Sequence, residues 1–296
     1  MQPEFVTIST ADGLTLPGLW YSKNGFKKAA IWLHGMGSSV FYSSKYQVIA
    51  EELEKKGIAL LAFNNRGAMS YFHLDVIKKG EEPTRKTFGM SHEIIKECIE
   101  DIEGAIAFLK EQGCEELYLI GHSTGANKIC VYDHYRPENP ISKYVLLGGG
   151  DDTGMYYYEL GEEKHAQLLK KAKQKIGDGQ GEMFIPELLE QNSIYSYQAF
   201  YDIANPDGDY NMFPFYEEMN SVKLSSKPLF GYFAAIKKPS FVIYGGNDEY
   251  AWGDVPRAVN ILKKYNPKRD YSIIENADHG FSGHIEELAK DITDWL

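Results

Sequence analysis

Residues 117–125 read Leu-Tyr-Leu-Ile-Gly-His-Ser-Thr-Gly, an apolar run that ends in Gly-x-Ser-x-Gly, and a helix-compatible stretch follows over 126–135. A strand that turns sharply into a helix at a serine lifts that hydroxyl to the tip of a sheet and strains its backbone. The turn also presses strand and helix together, so the positions two before and two after the serine must be tiny, as Gly121 and Gly125 are. Ser123 is therefore the candidate nucleophile. A hydroxyl attacks poorly at neutral pH, so it needs a base within reach and a third group that fixes the base's tautomer.

The candidate base is His279, in Asp278-His279-Gly280-Phe281, between a strand read at 271–275 and a final amphipathic helix at 285–296. That places it at the carboxyl edge of the sheet, with Ser123. The candidate orienting carboxylate is Asp248, which follows another strand in Gly245-Gly246-Asn247-Asp248-Glu249-Tyr250; Glu249 and, after the preceding strand, Asp151 and Asp152 are the alternatives. The chain order Ser, Asp, His suits a strand-turn-helix nucleophile. A tetrahedral intermediate needs N–H donors for its oxyanion, and losing one typically costs about 10²- to 10³-fold in rate. The amide of Thr124 and that of Met36, in His34-Gly35-Met36-Gly37, are the candidates, with Gly35 letting the loop come close to substrate.

His122 is expected to pack or hydrogen-bond beside the nucleophile and to border the substrate. His34 reads as structural. Arg66, in Asn65-Arg66-Gly67, is expected to pin loops through carbonyl oxygens, with a substrate carboxylate as the alternative partner. His279 and His284 lack a third ligand at suitable spacing, so no metal is expected. No Gly-x-Gly-x-x-Gly follows the first strands and no P-loop is present, so no cofactor is indicated.

The elements that hold these residues alternate. Residues 5–9 and 15–21 form a hairpin around Asp12-Gly13. Strands follow at 29–33 and 58–63, separated by a helix at 46–56. Residues 68–90 lack a period and read as one long connection. A helical stripe runs through Ile94, Ile95, Cys98, Ile99, Ile102, Ile106 and Leu109, with Ser91 as its N-cap and Gly113 as its stop. A strand at 144–147 closes the first half. This alternation predicts a mainly parallel sheet with helices on both faces. It is interrupted over 151–233 by an aromatic-rich insert with helices expected at 159–175 and 187–201, and it resumes with a strand at 240–244 and a helix at 255–265. Two bodies follow: a core of 1–150 and 234–296, and an insert of 151–233.

The chain has 296 residues, 43% of them hydrophobic, which is enough to bury a large core. Its net charge of −11 argues against binding nucleic acid. No run is apolar enough to span a membrane. The first residues lack the basic and apolar stretches of a signal peptide, and Cys98, Cys114 and Cys130 read as buried thiols, so a cytoplasmic protein is expected.

Taken together, His34-Gly35-Met36-Gly37, Gly121-His122-Ser123-Thr124-Gly125, Asp248 and Asp278-His279-Gly280 resemble the α/β-hydrolase superfamily. Gly-His-Ser-Thr-Gly with Asn64-Asn65-Arg66-Gly67 is similar to a group within it that includes fungal siderophore esterases. The resemblance implies an eight-stranded, mostly parallel sheet with a helical cap inserted after the sixth strand. It also implies a serine hydrolase acting on a carboxylic ester through an acyl-enzyme, while the aromatic-rich insert, and not the resemblance, points to a small or medium-sized, aromatic-compatible ester. The same machinery would serve a thioesterase, an amidase or peptidase, or an acyltransferase, and a non-catalytic ligand-binding protein is the rival from another class. Cap aromatics, among them Tyr156, Tyr157, Tyr201 and Phe215, are expected to divide between the insert's own core and the wall of the substrate pocket.

Overall fold

The computed structural model of the chain describes residues 1–23, 25–190 and 193–296. Ten strands are described: β1 (Glu4–Ser9), β2 (Thr15–Tyr21), β3 (Lys28–Leu33), β4 (Ile58–Phe63), β5 (Phe72–Val76), β6 (Thr84–Phe88), β7 (Glu116–His122), β8 (Ile141–Leu147), β9 (Ser240–Gly245) and β10 (Asp270–Ile274). Eight of them make one sheet in the order β1-β2-β4-β3-β7-β8-β9-β10. The β1–β2 and β2–β4 pairs are antiparallel and every later neighbour is parallel. β8 is the sixth of these eight strands along the chain.

The central strands are apolar on both faces, which is why they read as continuous runs rather than alternations. Side-chain direction alternates along each strand and sorts the residues into two layers. Ala30, Trp32, Leu60, Ala62, Tyr118 and Ile120 pack against α1 (Lys45–Glu54) and α11 (Ile285–Trp295). Ala29, Ile31, Leu33, Leu61, Leu117 and Leu119 pack on the opposite face, against α2 (Cys98–Glu111), α3 (Thr124–Tyr135) and α10 (Val255–Tyr265). Helices therefore cover both faces, as the alternation requires. Cys98, Cys114 and Cys130 are all buried.

Between β8 and β9 run α4 (Asp152–Leu160), α5 (Glu162–Gly177), α6 (Pro186–Leu189), α7 (Tyr197–Ala204), α8 (Phe215–Asn220) and α9 (Gly231–Ala235), and no described residue of this stretch joins the main sheet. The helix expected at 159–175 is two helices. Gly161, at φ 74°, ends α4 and starts α5, a backbone position that glycine takes without strain. The helix expected at 187–201 also divides. Its middle includes residues 191 and 192, outside the described residues, and Ser196, bridged to Phe184, caps α7 by accepting from the Ala199 N–H at 3.1 Å.

Two further expectations are corrected. The connection at 68–90 contains the antiparallel ribbon β5–β6, in which half-buried Phe72, Leu74 and Val76 alternate with exposed His73 and Asp75 and Leu74, Val76 and Phe88 rest on the core, a period of two over too few residues to stand out in the mixed polarity around it. Ser91 does not cap α2, which begins only at Cys98 after two short 3-10 turns. Ser91 is buried, and its carbonyl accepts the Ser196 N–H at 2.8 Å, tying this segment to the insert.

Candidate active site

β7 ends in Gly121 and His122, and Ser123 follows with φ 57° and ψ −127°, immediately before α3. A non-glycine residue there costs on the order of 1–3 kcal/mol and persists only where its surroundings impose it. They do. A Cβ on Gly121 would stand 2.2 Å from the Gly125 carbonyl oxygen, and one on Gly125 would stand 2.2 Å from the Leu33 carbonyl oxygen. The first close approach is the expected strand-to-helix contact. The second is different: Gly125 lets α3 pass over the end of the neighbouring strand β3. A Cβ on Gly35 would lie 2.8 Å from the Ser123 Cβ, so the loop after β3 rests directly on the serine.

The loops after β9 and β10 bring Asp248 to His279. Both carboxylate oxygens lie 3.0 Å from His279 Nδ1. A carboxylate only accepts, so Nδ1 carries the proton and Nε2 keeps its lone pair. Asp248 is 1% exposed, and its Oδ1 also accepts the Tyr250 N–H at 2.9 Å. Glu249, the weighed alternative, instead accepts the backbone N–H of His279 at 3.1 Å. Asp151 caps α4 through the Gly154 N–H and accepts from the Tyr216 N–H and the Trp252 indole. Gly148, at φ 52°, is the residue whose role the sequence concealed. A Cβ there would meet Asp248 Oδ2 at 3.0 Å and His279 Nδ1 at 3.1 Å, so its bare backbone makes room for the pair.

Two other histidines near the pair, His122 and His34, have fixed tautomers. His122 Nε2 donates to the His279 carbonyl oxygen at 2.7 Å, bracing the loop from below. Burial, with Lys45 and His279 adding to it, pushes its pKa well below the usual range, so the ring is neutral. His34 accepts the Asn65 N–H at Nε2 (3.1 Å) and donates from Nδ1 to the Gly35 carbonyl (2.7 Å). Burial and the nearby Lys128 ammonium hold its pKa down to about 3, a structural role as expected. Arg66 does pin loops, but through carboxylates rather than carbonyls. It bonds Asp101 at 2.8 and 2.9 Å, Asp12 at 2.9 Å and Glu97 at 3.1 Å, because a buried guanidinium needs charge compensation that carbonyls cannot supply.

Ser123 and His279 both border one cleft of about 460 Å³. Among the described residues, the Ser123 hydroxyl makes no hydrogen bond within the chain, and neither the Met36 nor the Thr124 amide has an internal acceptor. Gly35, Met36, His122 and Tyr156 line the cleft. Tyr157, Tyr201 and Phe215 do not, which corrects their assignment. Tyr157 packs on His165 and Tyr216, Tyr201 rests on the apolar core, and Phe215 is fully buried among Phe213, Phe230 and Tyr244. Their places are taken by Met155 and Glu159, which share one face of α4 with Asp152 and the expected Tyr156, and by Lys45, Met90, Tyr195 and Tyr250. The spacing i, i+3, i+4, i+7 of the α4 group was readable, but only to a reader who began the helix at residue 152. Tyr195 donates to the Met36 thioether at 3.0 Å and so links the insert to the loop after β3. Among the described residues, no three His, Cys, Asp or Glu side chains gather in a way that could hold a metal ion.

This is an α/β-hydrolase fold, with its cleft at the carboxyl ends of the parallel strands. The chain belongs to the family described as "Protein of unknown function (DUF1749)", whose model matches residues 86–296. No curated protein matches it. Among solved structures it is similar to an α/β hydrolase from Penicillium sp. sh18, with a TM-score of 0.65 and 15% identity over 100% of this chain and 98% of that one. An esterase from Pyrococcus furiosus gives a TM-score of 0.58 and 20% identity over 100% and 91%. The esterase Est1E of Butyrivibrio proteoclasticus with ferulic acid bound gives 0.61 and 15% over 98% and 97%. At these identities the likeness is one of fold. No helix among the described residues is long and apolar enough to cross a membrane.

Proposed function

We propose that the protein is a serine hydrolase that cleaves a carboxylic ester of small or medium size through an acyl-enzyme. Ser123 attacks the carbonyl carbon. His279 Nε2 takes the hydroxyl proton and returns it to the departing alcohol, then activates the water that frees the acid. Asp248 orients His279 and stabilises the imidazolium. The amides of Met36 and Thr124 hold the oxyanion, and the positive end of α3 points at the same place. Residues 151–233 act as the cap that selects the substrate.

The single observation that carries this reading is the Asp248–His279 pair, with its Nδ1 proton committed and its lone pair free, bordering the same cleft as a strained, unbonded serine. The free hydroxyl is compatible with this role, because such hydrogen bonds tighten when substrate closes the geometry. A volume of about 460 Å³ suits a small or medium ester, and Tyr156, Tyr195 and Tyr250 offer flat walls to an aromatic one. The esterases that share this fold support the same chemistry.

The test is labelling with a fluorophosphonate probe alongside a screen of acyl chain lengths and leaving groups. Wild-type protein takes up the probe at one site and hydrolyses esters, whereas Ser123→Ala does neither. A wild-type protein that stays unlabelled and inert leaves only a binding protein on this fold.

A further inference from the structure

One charge in the cleft has no partner. Lys45 is the first residue of α1 and lines the same hollow as Ser123 and His279. No carboxylate lies within 4 Å of its ammonium among the described residues. Its Nζ instead stands 5.6 Å from the ring centre of Trp32 and 5.5 Å from that of Tyr46. Burial against these rings pushes its pKa down to about 8. The position is also unfavourable for a cation on helix grounds. The amino end of a helix is positive, and this one has no acidic residue in its first turn and no side-chain cap from Ser44. A partly desolvated, unpaired lysine at the positive end of a helix destabilises the fold, and such violations of local rules mark functional positions.

Lys45 also borders a second hollow of about 380 Å³, lined by Ser43, Ser44, Val48, Gly280, Ser282 and Glu286 among others. The catalytic cleft and this groove, which carries three serines and one carboxylate, therefore meet at the lysine. At the cleft's other wall, α4 contributes Asp152 and Glu159. One Asp152 carboxylate oxygen is buried without a partner, and burial lifts the group's pKa to about 6. The cleft thus carries a cation on the α1 side and acids on the α4 side, within a chain of net charge −11.

Building on the ester-hydrolase reading, we propose that the substrate is an ester that also bears a carboxylate, and that Lys45 binds this carboxylate on the side of the cleft open to the Ser43–Ser282 groove. The acids on α4 disfavour the reverse orientation, so the charge pattern sets which end of the substrate lies under the insert. The anion supplies the missing counter-charge to Lys45 on binding, which turns an unfavourable feature of the free protein into affinity.

The test compares matched esters on the intact protein. Monophenyl glutarate is set against its methyl ester, which puts the carboxylate on the acyl side. Carboxymethyl butyrate is set against its own methyl ester, which puts it on the alcohol side. In at least one pair the anionic member is expected to have a kcat/KM about tenfold or more above its neutral twin. Lys45→Met is expected to bring that ratio to about 1, and Lys45→Arg to keep most of it. Ratios near or below 1 in both wild-type pairs, or a preference that Lys45→Met leaves intact, overturn the inference. If the neutral twins are still cleaved and Ser123 still labels, the proposed function stands without it. A wild-type protein that cleaves none of the four and takes up no fluorophosphonate overturns both.

Discussion

Nδ1 of His279 lies 3.0 Å from each carboxylate oxygen of Asp248, although the two residues sit on loops after different strands. The pairing fixes one tautomer, and the expected consequence is kinetic. Asp248→Asn can turn an N–H towards the ring, which favours the tautomer with its proton on Nε2 and removes the lone pair needed for attack. kcat is expected to fall about 10³- to 10⁴-fold with KM little changed. Steady-state ester hydrolysis checks this, and fluorophosphonate labelling should slow in parallel.

His122 acts through the loop that carries His279. His122→Phe keeps a flat ring against Trp32 and Phe281 but leaves the His279 carbonyl without its donor. A lost hydrogen bond of this kind costs about 1–3 kcal/mol. We expect kcat to drop by about tenfold and the pH–rate profile to keep its shape, because the wild-type ring is neutral throughout. A profile that loses one limb would show that His122 itself titrates in the reaction.

Gly121→Ala is expected to be severe. Its Cβ would collide with a backbone oxygen at 2.2 Å, and neither β7 nor α3 can move without moving Ser123. A loss of more than about 3 kcal/mol in urea unfolding is expected, or a folded protein without probe labelling. Gly177→Ala, at the end of α5 with nothing within 4 Å, should be neutral or stabilising by up to about 1 kcal/mol and serves as the control.

Asp202 gives a pH-dependent stability. Burial first, with Glu93, Asp209 and Glu97 adding repulsion, pushes its carboxyl up to about 7 from 3.8, against the lowering effect of the Ile95 N–H that donates to it at 2.7 Å. The folded state therefore holds a proton that the unfolded state releases, so this group's contribution declines as pH rises from about 4 to about 7. Asp202→Asn keeps an acceptor for Ile95 and cannot ionise. It is expected to stabilise the protein at pH 8 by up to about 3 kcal/mol, with the gain vanishing near pH 4. Thermal melts across that range check the sign.

What was readable in the sequence was local or periodic. Strands buried on both faces show as short apolar runs, and helices on a sheet show as stripes, so the alternating order followed from 29–33 through 285–296 without any knowledge of contacts. Parallel strands all end at one edge, so placing Ser123, Asp248 and His279 just after strand ends already put them on the same side. The glycines at 121 and 125 announced a tight turn because nothing larger fits.

Tertiary structure decided what depends on distant segments meeting. The partners of Arg66 are carboxylates from the first hairpin and from the turn and helix at Glu97 and Asp101, which no local pattern could name. Tyr157, Tyr201 and Phe215 turn away from the cleft while Tyr156 turns in, because the insert's helices must bury a core of their own and an aromatic count does not say which face does so. In the sequence Lys45 stands one residue before the helix read at 46–56 and carries no signal of its own. Only the packing of α1 beside the His279 loop makes it an unpaired charge within the cleft, since desolvation and the absence of a counter-ion are properties of the assembled site and not of the residue.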